Sequence, residues 1–348
     1  PFVSEIWQVY VLIFMLQSAS AAFTPTFQAT IPDVLPDEKD YTRALSLSRL
    51  AYDLESVASP LLAAALLTVI SFNSLFAGTV IGFLASALLV VSVILPSPKP
   101  AAPRGIYDRT TRGMRIYLKT PRLRGLLALT FAVSAAGAMV IVNTVVLVQS
   151  EFGLAQQWTA LALAAFGGGS MVAALVLPRL LDKVADRTVM LAGAGLLIFG
   201  LLGAVFVPGY GLLLPLWAGL GLGYGIAQTP AGRLLRRSAA PEDRPALFAA
   251  QFALSHACWL ITYPLAGWLG AAAGLPATSA VLALIAAGAA VAAAGLWPRH
   301  DPDTIEHEHR SLDDGDPHIA DAARTRHGFH HAHPFVIDSN HRNWPRPD

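Results

Sequence analysis

Residues 24–39, TPTFQATIPDVLPDEK, and residues 229–244, TPAGRLLRRSAAPEDR, line up at a constant offset of 205 positions. Thr24-Pro25 falls on Thr229-Pro230, Pro36 on Pro241, and Asp37-Glu38-Lys39 on Glu242-Asp243-Arg244. One residue of slippage later, Ser59-Pro60-Leu61 lies over Tyr263-Pro264-Leu265. Chance likeness between oily helices does not put prolines and charges in register. The chain therefore carries two copies of one unit in the same orientation, as in parallel repeats related by an axis along a membrane normal.

The surroundings of the repeat are apolar. Hydrophobic residues make up 54% of the chain and charged residues 14%, against roughly 25% charged in a soluble domain. Stretches 61–95 and 125–150 hold no ionisable side chain. Nine segments are long enough for a spanning helix of ~20 residues: 6–28, 44–70, 72–95, 123–148, 158–181, 188–208, 211–231, 246–271 and 276–297. They are too long for barrel strands and lack period-two alternation, so the expected class is an all-α membrane protein. A single cysteine, Cys258, excludes a disulfide framework and a Cys-rich zinc site.

Charge placement orients the spans. The connections near 32–43, 97–122, 182–187 and 232–245 are rich in Lys and Arg, while those near 71–74, 149–157, 208–211 and 270–277 hold none. Basic loops stay inside, which puts them and the C-terminal tail in the cytoplasm. The repeat also predicts a twin for the half that begins near Arg122, upstream of Pro1. That twin requires roughly eighty further residues, or three spans at ~20 residues each plus loops. The expected whole is twelve spans in two six-helix halves: 1–96 as the remainder of the first, 97–122 as a basic linker, 123–298 as the second half and 299–348 as a tail.

These features resemble the major facilitator superfamily over nearly all of residues 1–298. LPRLLDKVADR, residues 177–187, is similar to a degenerate form of the family's signature loop, with Asp182, Lys183 and Arg187 at its charged positions and Ala185 where glycine is usual. TPTFQATIPDVLP, the run from Gln228 to Gly270, and the ending HPFVIDSNHRNWP at 333–345 resemble the nickel-resistance exporters of proteobacteria. That resemblance implies a multi-pass protein of the bacterial inner membrane whose charged loop Asp182–Lys183–Arg187 gates transport.

Several residues are candidates for chemistry. FGGGSM (166–171), AGAGLLIFG (192–200) and GLGLGYG (219–225) have no following Lys-Ser or Lys-Thr and no preceding strand, so they are read as helix-packing surfaces rather than phosphate loops. Arg49 and Asp53, four residues apart, share a helix face and can pair, whereas Glu55 lies about 200° from Asp53 and lacks a basic partner on its helix. Asp53 or Glu55 could carry protons or contact a cation; the Arg49–Asp53 pair could equally stabilise a gate. His256 is the sole histidine before the tail. One turn before it lies Phe252, and Gln251 should point elsewhere, so a satisfied imidazole and a ligand both stay open. Gln28 and Gln228 flank the two Thr-Pro pairs, where proline frees a carbonyl and helices often line the substrate path. Asn143 and Gln149 are weaker candidates of this kind.

The basic linker, with seven Lys and Arg from Arg104 to Arg124 against Asp108, suits a helix lying on anionic lipid. The tail, 299–348, holds nine of the ten histidines, ten acids and six arginines. Few apolar side chains predict disorder. His307 and His309, with His327, His330, His331 and His333, can gather a metal ion; imidazole suits nickel, cobalt, zinc and copper. Buffering of metal beside the pore is one reading of the tail, and a pH-responsive segment is another. The expected function is a proton-coupled secondary exporter of divalent metal, nickel first, with cobalt or zinc accommodated. It would be a monomer in the lipid bilayer with no tightly bound cofactor, no nucleic-acid partner and no enzymatic activity. An exporter of organic compounds and a non-transporting metal sensor are the alternatives.

Overall fold

The computed structural model describes residues 3–93, 105–309, 312 and 315–345. Part of the linker expected at 97–122 thus lies outside the described residues. Ten α-helices run in chain order: α1 Ile6–Val34, α2 Glu38–Leu66, α3 Phe72–Ser92, α4 Ile106–Lys119, α5 Pro121–Val145, α6 Gln156–Leu181, α7 Asp186–Ala204, α8 Tyr210–Gln228, α9 Ala231–Arg237 and α10 Arg244–Leu296. Among the described residues, seven helical segments are long and apolar enough to cross a membrane. The last of them, Pro241–Leu296, covers two expected spans. Gly274, at φ 80°, interrupts its helical backbone between them, a conformation glycine adopts without a Cβ penalty. The expected span at 44–70 is helical too, but Arg43, Arg49, Asp53 and Glu55 keep α2 out of the apolar group.

Local chemistry sets the boundaries. Asp37 caps α2 by accepting from the amides of Lys39 and Asp40 at 2.9 and 3.1 Å, and Ser71 caps α3 through Ser74. Thr120 ends α4, and Pro121 opens α5 at the first helical position, where a missing amide costs nothing. The two repeat copies differ here. Thr24-Pro25 lies inside an unbroken α1, whereas Thr229-Pro230 separates α8 from α9.

Helices α5 to α10 form a packed bundle, with α2 laid on α6 and α1 on α10. Inside a bilayer the fit between small residues, rather than hydrophobicity, brings helices together. At the α6–α8 crossing, a Cβ on Gly169 would sit 1.9 Å from the Ala218 carbonyl oxygen, and one on Gly221 1.8 Å from that of Phe166. The packing role read from these glycine runs holds for both, although Gly219 faces open space. Deep in the bundle Trp217 donates to Thr144 at 2.8 Å.

Helix α4 does not present its apolar side to lipid. Ile116 and Tyr117 are fully buried, and Gly113 approaches α10 so closely that a Cβ would meet the Ala246 carbonyl at 1.9 Å. Only its first residues, Ile106 and Tyr107, expose large apolar side chains with Leu118. The bundle offers a protein surface there, which a reading of one helix alone could not include.

Candidate functional site

The two repeat copies face each other at the end of the bundle that carries the basic loops. Copy one brings carboxylates and copy two brings guanidinium groups. Arg244 donates to Asp33 at 2.6 Å, Arg233 pairs with Glu38 at 2.5 Å, and Arg236 donates to the Pro36 carbonyl. Arg233 also reaches Asp186, at the first turn of α7, at 3.0 Å, and the Thr42 hydroxyl at 2.6 Å. Asp186 is buried, so losing Arg233 would strand a charge. Helix α9 thus turns Arg233 and Arg236 toward the α1–α2 corner, and the seam between the halves is closed at this end.

Within the span, Arg49 and Asp53 pair as their four-residue spacing predicts. Arg49 donates from Nε to Asp53 Oδ2 and to the Ser170 hydroxyl, both at 3.0 Å, and pairs through its NH2 group with Asp53 Oδ1 at 2.7 Å. Its guanidinium lies 4.7 Å from the Tyr224 ring centroid, a favourable cation–π position. The buried pair joins α2 to α6 and α8. Glu55 lies on the exposed side of α2, with no partner among the described residues.

The remaining candidates do not converge. His256 is exposed, with Nδ1 2.8 Å from the carbonyl of Phe252. A search for polar side chains one turn back overlooks that backbone acceptor. Gln251 accepts from the Tyr117 hydroxyl of α4. Asn143 is buried and donates to the Ala266 carbonyl at 3.3 Å, fastening α5 to α10. Gln149 donates to Thr159 at 3.2 Å. Gln28 is exposed, while the Gln228 side-chain oxygen is buried without a partner, as is the hydroxyl of Thr229. Among the described residues no hydrogen bond joins any two of Gln28, Asn143, Gln228, Gln251 and His256.

In the loop after α6, Asp182 and Lys183 are exposed. Arg187 donates to the carbonyls of Trp297 and Ala294 at 2.9 and 2.8 Å, satisfying the end of α10. The buried acid of this loop is Asp186, which sequence reasoning passed over. Its one signal is an acid in the first turn of a helix.

The tail departs most from expectation. Instead of a disordered segment, the described residues form a three-stranded antiparallel sheet, ordered β1-β3-β2, from β1 Thr304–His309, β2 Ala323–Arg324 and β3 Phe329–Pro334. His307 stands opposite His331 and Ile305 opposite His333. Side chains alternate along a strand, so His307, His309, His331 and His333 share a face and His330 takes the other. His318 enters from the turn Pro317–Ile319. His341 enters from a turn in which Asp338 accepts from the amides of Asn340 and His341 at 2.8 and 2.7 Å. One ligand atom from each of these six histidines lies within 4.8 Å of the others. Of the expected ligands, His307, His309, His331 and His333 join the cluster. His327 and His330 do not, because closeness in sequence is not closeness on a pleated strand. His318 and His341 take their places.

The cluster is set for neutral imidazole. Burial, and then the neighbouring imidazoles, push His309 and His331 down to about 4. His307 and His318 are lowered too, burial again being the largest cause. Burial opposes ionisation of Asp338, but hydrogen bonds from the His341 ring and from the His341 and Asn340 amides together outweigh it and hold the carboxyl at about 2. Neutral imidazole is the metal-binding form, and six nitrogen donors suit a borderline divalent ion. Below the cluster, Phe335 and Ile337 are buried with Ile116, Leu123 and Trp297. Asp303 pairs with Arg237 at 3.1 Å and with Arg122 at 3.6 Å, and Lys119 donates to the Arg342 carbonyl at 2.7 Å.

A bundle of apolar helices with two copies of one repeat paired by ions at one end defines a multi-pass membrane protein. The chain belongs to the Major Facilitator Superfamily, whose profile matches residues 1–184 and again 126–326. Its fold is similar to that of a variant of the E. coli fucose:proton symporter, with a TM-score of 0.58, 15% identity, and coverage of 75% of this chain and 70% of the other. No curated protein sequence matches it.

Proposed function

We propose that the protein is a proton-coupled exporter that moves a divalent metal ion, nickel ahead of cobalt or zinc, out of the bacterial cytoplasm across the inner membrane. The observation that carries this reading is the six-imidazole cluster of the tail, which packs on α4 and the start of α5 at the basic end of the bundle. The basic loops and the tail share one end of the bundle, and the bias of Lys and Arg makes that end cytoplasmic. Opening it requires breaking Asp33–Arg244 and Glu38–Arg233, after which cargo from the cytoplasm reaches a site between the halves. The Arg49–Asp53 pair is satisfied at both ends and serves structure. Glu55, unpaired, is the carboxylate available for proton coupling. The transporter works as a monomer.

Transport in everted membrane vesicles tests this. With the lumen acidified, vesicles carrying the full chain should accumulate radioactive nickel, and an uncoupler should abolish the uptake. Glu55→Gln should lower uphill accumulation about tenfold at an unchanged membrane level, since it removes the proton site and keeps the shape. Extrusion of organic compounds with no movement of nickel, cobalt or zinc would overturn the cargo assignment.

A further inference from the structure

Six imidazoles this close cannot satisfy one another. His307 Nδ1 lies 3.0 Å from the Ile305 carbonyl, His333 Nδ1 2.9 Å from the Pro334 carbonyl, and His341 Nδ1 2.9 Å from Asp338 Oδ1. Each of these nitrogens faces an acceptor, so each carries the single proton of a neutral ring, a tautomer assigned from its partners. Nε2 on all three is then a bare lone pair. Yet the Nε2 atoms of His307 and His341 stand 3.0 Å apart, and that of His333 is buried with no hydrogen-bond partner. Lone pairs brought together this way repel unless they share a cation. Rings oriented by carbonyls and a carboxylate are the usual second layer of a metal site.

The arrangement also specifies a coordination number. Each ring touches four others, at centroid separations of 4.7–5.1 Å, and makes no ring contact with the fifth. His307 is opposed to His318, His309 to His333, and His331 to His341. Six points in three opposed pairs, with every other pair adjacent, form an octahedron. Neighbouring Nε2 atoms are 3.0–3.2 Å apart. An octahedron with metal–nitrogen bonds of ~2.1 Å has edges of ~3.0 Å, and a tetrahedron ~3.4 Å. Zinc favours four ligands and copper a tetragonal set. Among ions content with six equal donors, affinity rises from manganese through iron and cobalt to nickel.

We propose that His307, His309, His318, His331, His333 and His341 form a resident octahedral site for one divalent first-row ion, nickel by preference, whose binding folds the tail and fastens it to the basic end of the bundle. This goes beyond the transport reading, because the ion is a fixed ligand of the tail and not the cargo. Strands of six, two and six residues are too short to stand alone; the metal centre is the tail's core. Its ligands abut the docking surface. The Phe335 ring lies 5.0 Å from His307, 4.6 Å from His341 and 5.1 Å from Trp344, which Arg122 in turn covers at 5.1 Å. Asp338, which orients His341, lines a cavity of about 480 Å³ with Arg112, Arg115 and Lys119 of α4. Asp301 and Asp303, just before β1, hold Arg237 on α9, the helix whose Arg233 and Arg236 close the seam.

Calorimetry and hydrogen-exchange mass spectrometry on the full chain in lipid nanodiscs, stripped of metal and titrated with nickel chloride, test the site. One ion should bind per chain, and residues 304–309 and 329–334 should gain protection together with α4 and α9. His318→Ala or His341→Ala should weaken binding about 100-fold or more, and His330→Ala by less than about twofold. Zinc should bind at least about tenfold more weakly than nickel. Asp301→Asn with Asp303→Asn should still bind one ion while α9 stays unprotected. Several ions per chain, equal losses from His330→Ala, zinc equal to nickel, or a tail equally protected without metal would overturn the site. Binding of one ion with no change in α9 would overturn the fastening. Nickel transport is not read in this experiment, so its failure leaves the export proposal to its own test.

Discussion

The bundle from Ile6 to Leu296 consists of long apolar helices joined by a few buried polar contacts, while the segment after Trp297 has few apolar side chains and is organised around imidazoles. In the first, hydropathy declares the fold, because each helix must satisfy its own backbone in lipid. In the second, composition points to disorder, because the usual rule counts only apolar area available for burial. A ligand-built core escapes that count. In the proposed site the folding energy resides in a shared ion rather than in leucines, and the ligands come from two strands and two turns.

Removing one ligand should separate the two regions most sharply. His307→Ala deletes the ring that touches His309, His331, His333 and His341. The tail should lose its sheet and about 100-fold or more in nickel affinity, while the bundle's thermal midpoint in detergent stays unchanged. A shifted midpoint would mean that the two regions fold as one.

The reciprocal change is Arg233→Ala. It strands Asp186, buried in the seam, and should cost about 3 kcal/mol, read as a lower denaturation midpoint of the bundle. Nickel binding by the tail should be retained. Loss of both would make the seam and the tail one unit.

Acidification should act on the tail alone and more gently. His309 and His331 titrate near 4 in the folded cluster and at ~6.5 in an unfolded chain. The metal-free, unfolded tail therefore takes up protons first, so the nickel-loaded tail loses stability as pH falls from ~6.5 to ~4. Above that window its stability is fully present. Trp344, packed on Phe335, reports the change by fluorescence, provided the other tryptophans are replaced by Phe. A signal flat between pH 7 and 4 would contradict the cause assigned to these shifts.

The legible parts of the molecule share a physical trait: they depend on residues near one another in sequence. Apolar runs marked the spans, the four-residue spacing of Arg49 and Asp53 marked their pair, and four of the six clustered histidines lie within two short motifs. The repeat aligned Asp37-Glu38-Lys39 with Glu242-Asp243-Arg244 without revealing that the two copies bind each other across the seam. Asp186–Arg233, the burial of α4 on α10, and the arrival of His318 and His341 are long-range consequences of folding. Local periodicity carries no trace of them. The exclusion of His330 was within reach, since alternation along a strand expels it, but an assumption of disorder removed the strand first.

Nickel K-edge X-ray absorption on the loaded full chain tests the contrast most directly. The account predicts one nickel surrounded by six imidazole nitrogens at ~2.1 Å, a spectrum that His318→Ala alters and His330→Ala leaves intact. Four-coordinate nickel, or a shell made chiefly of water and carboxylate oxygens, would contradict it.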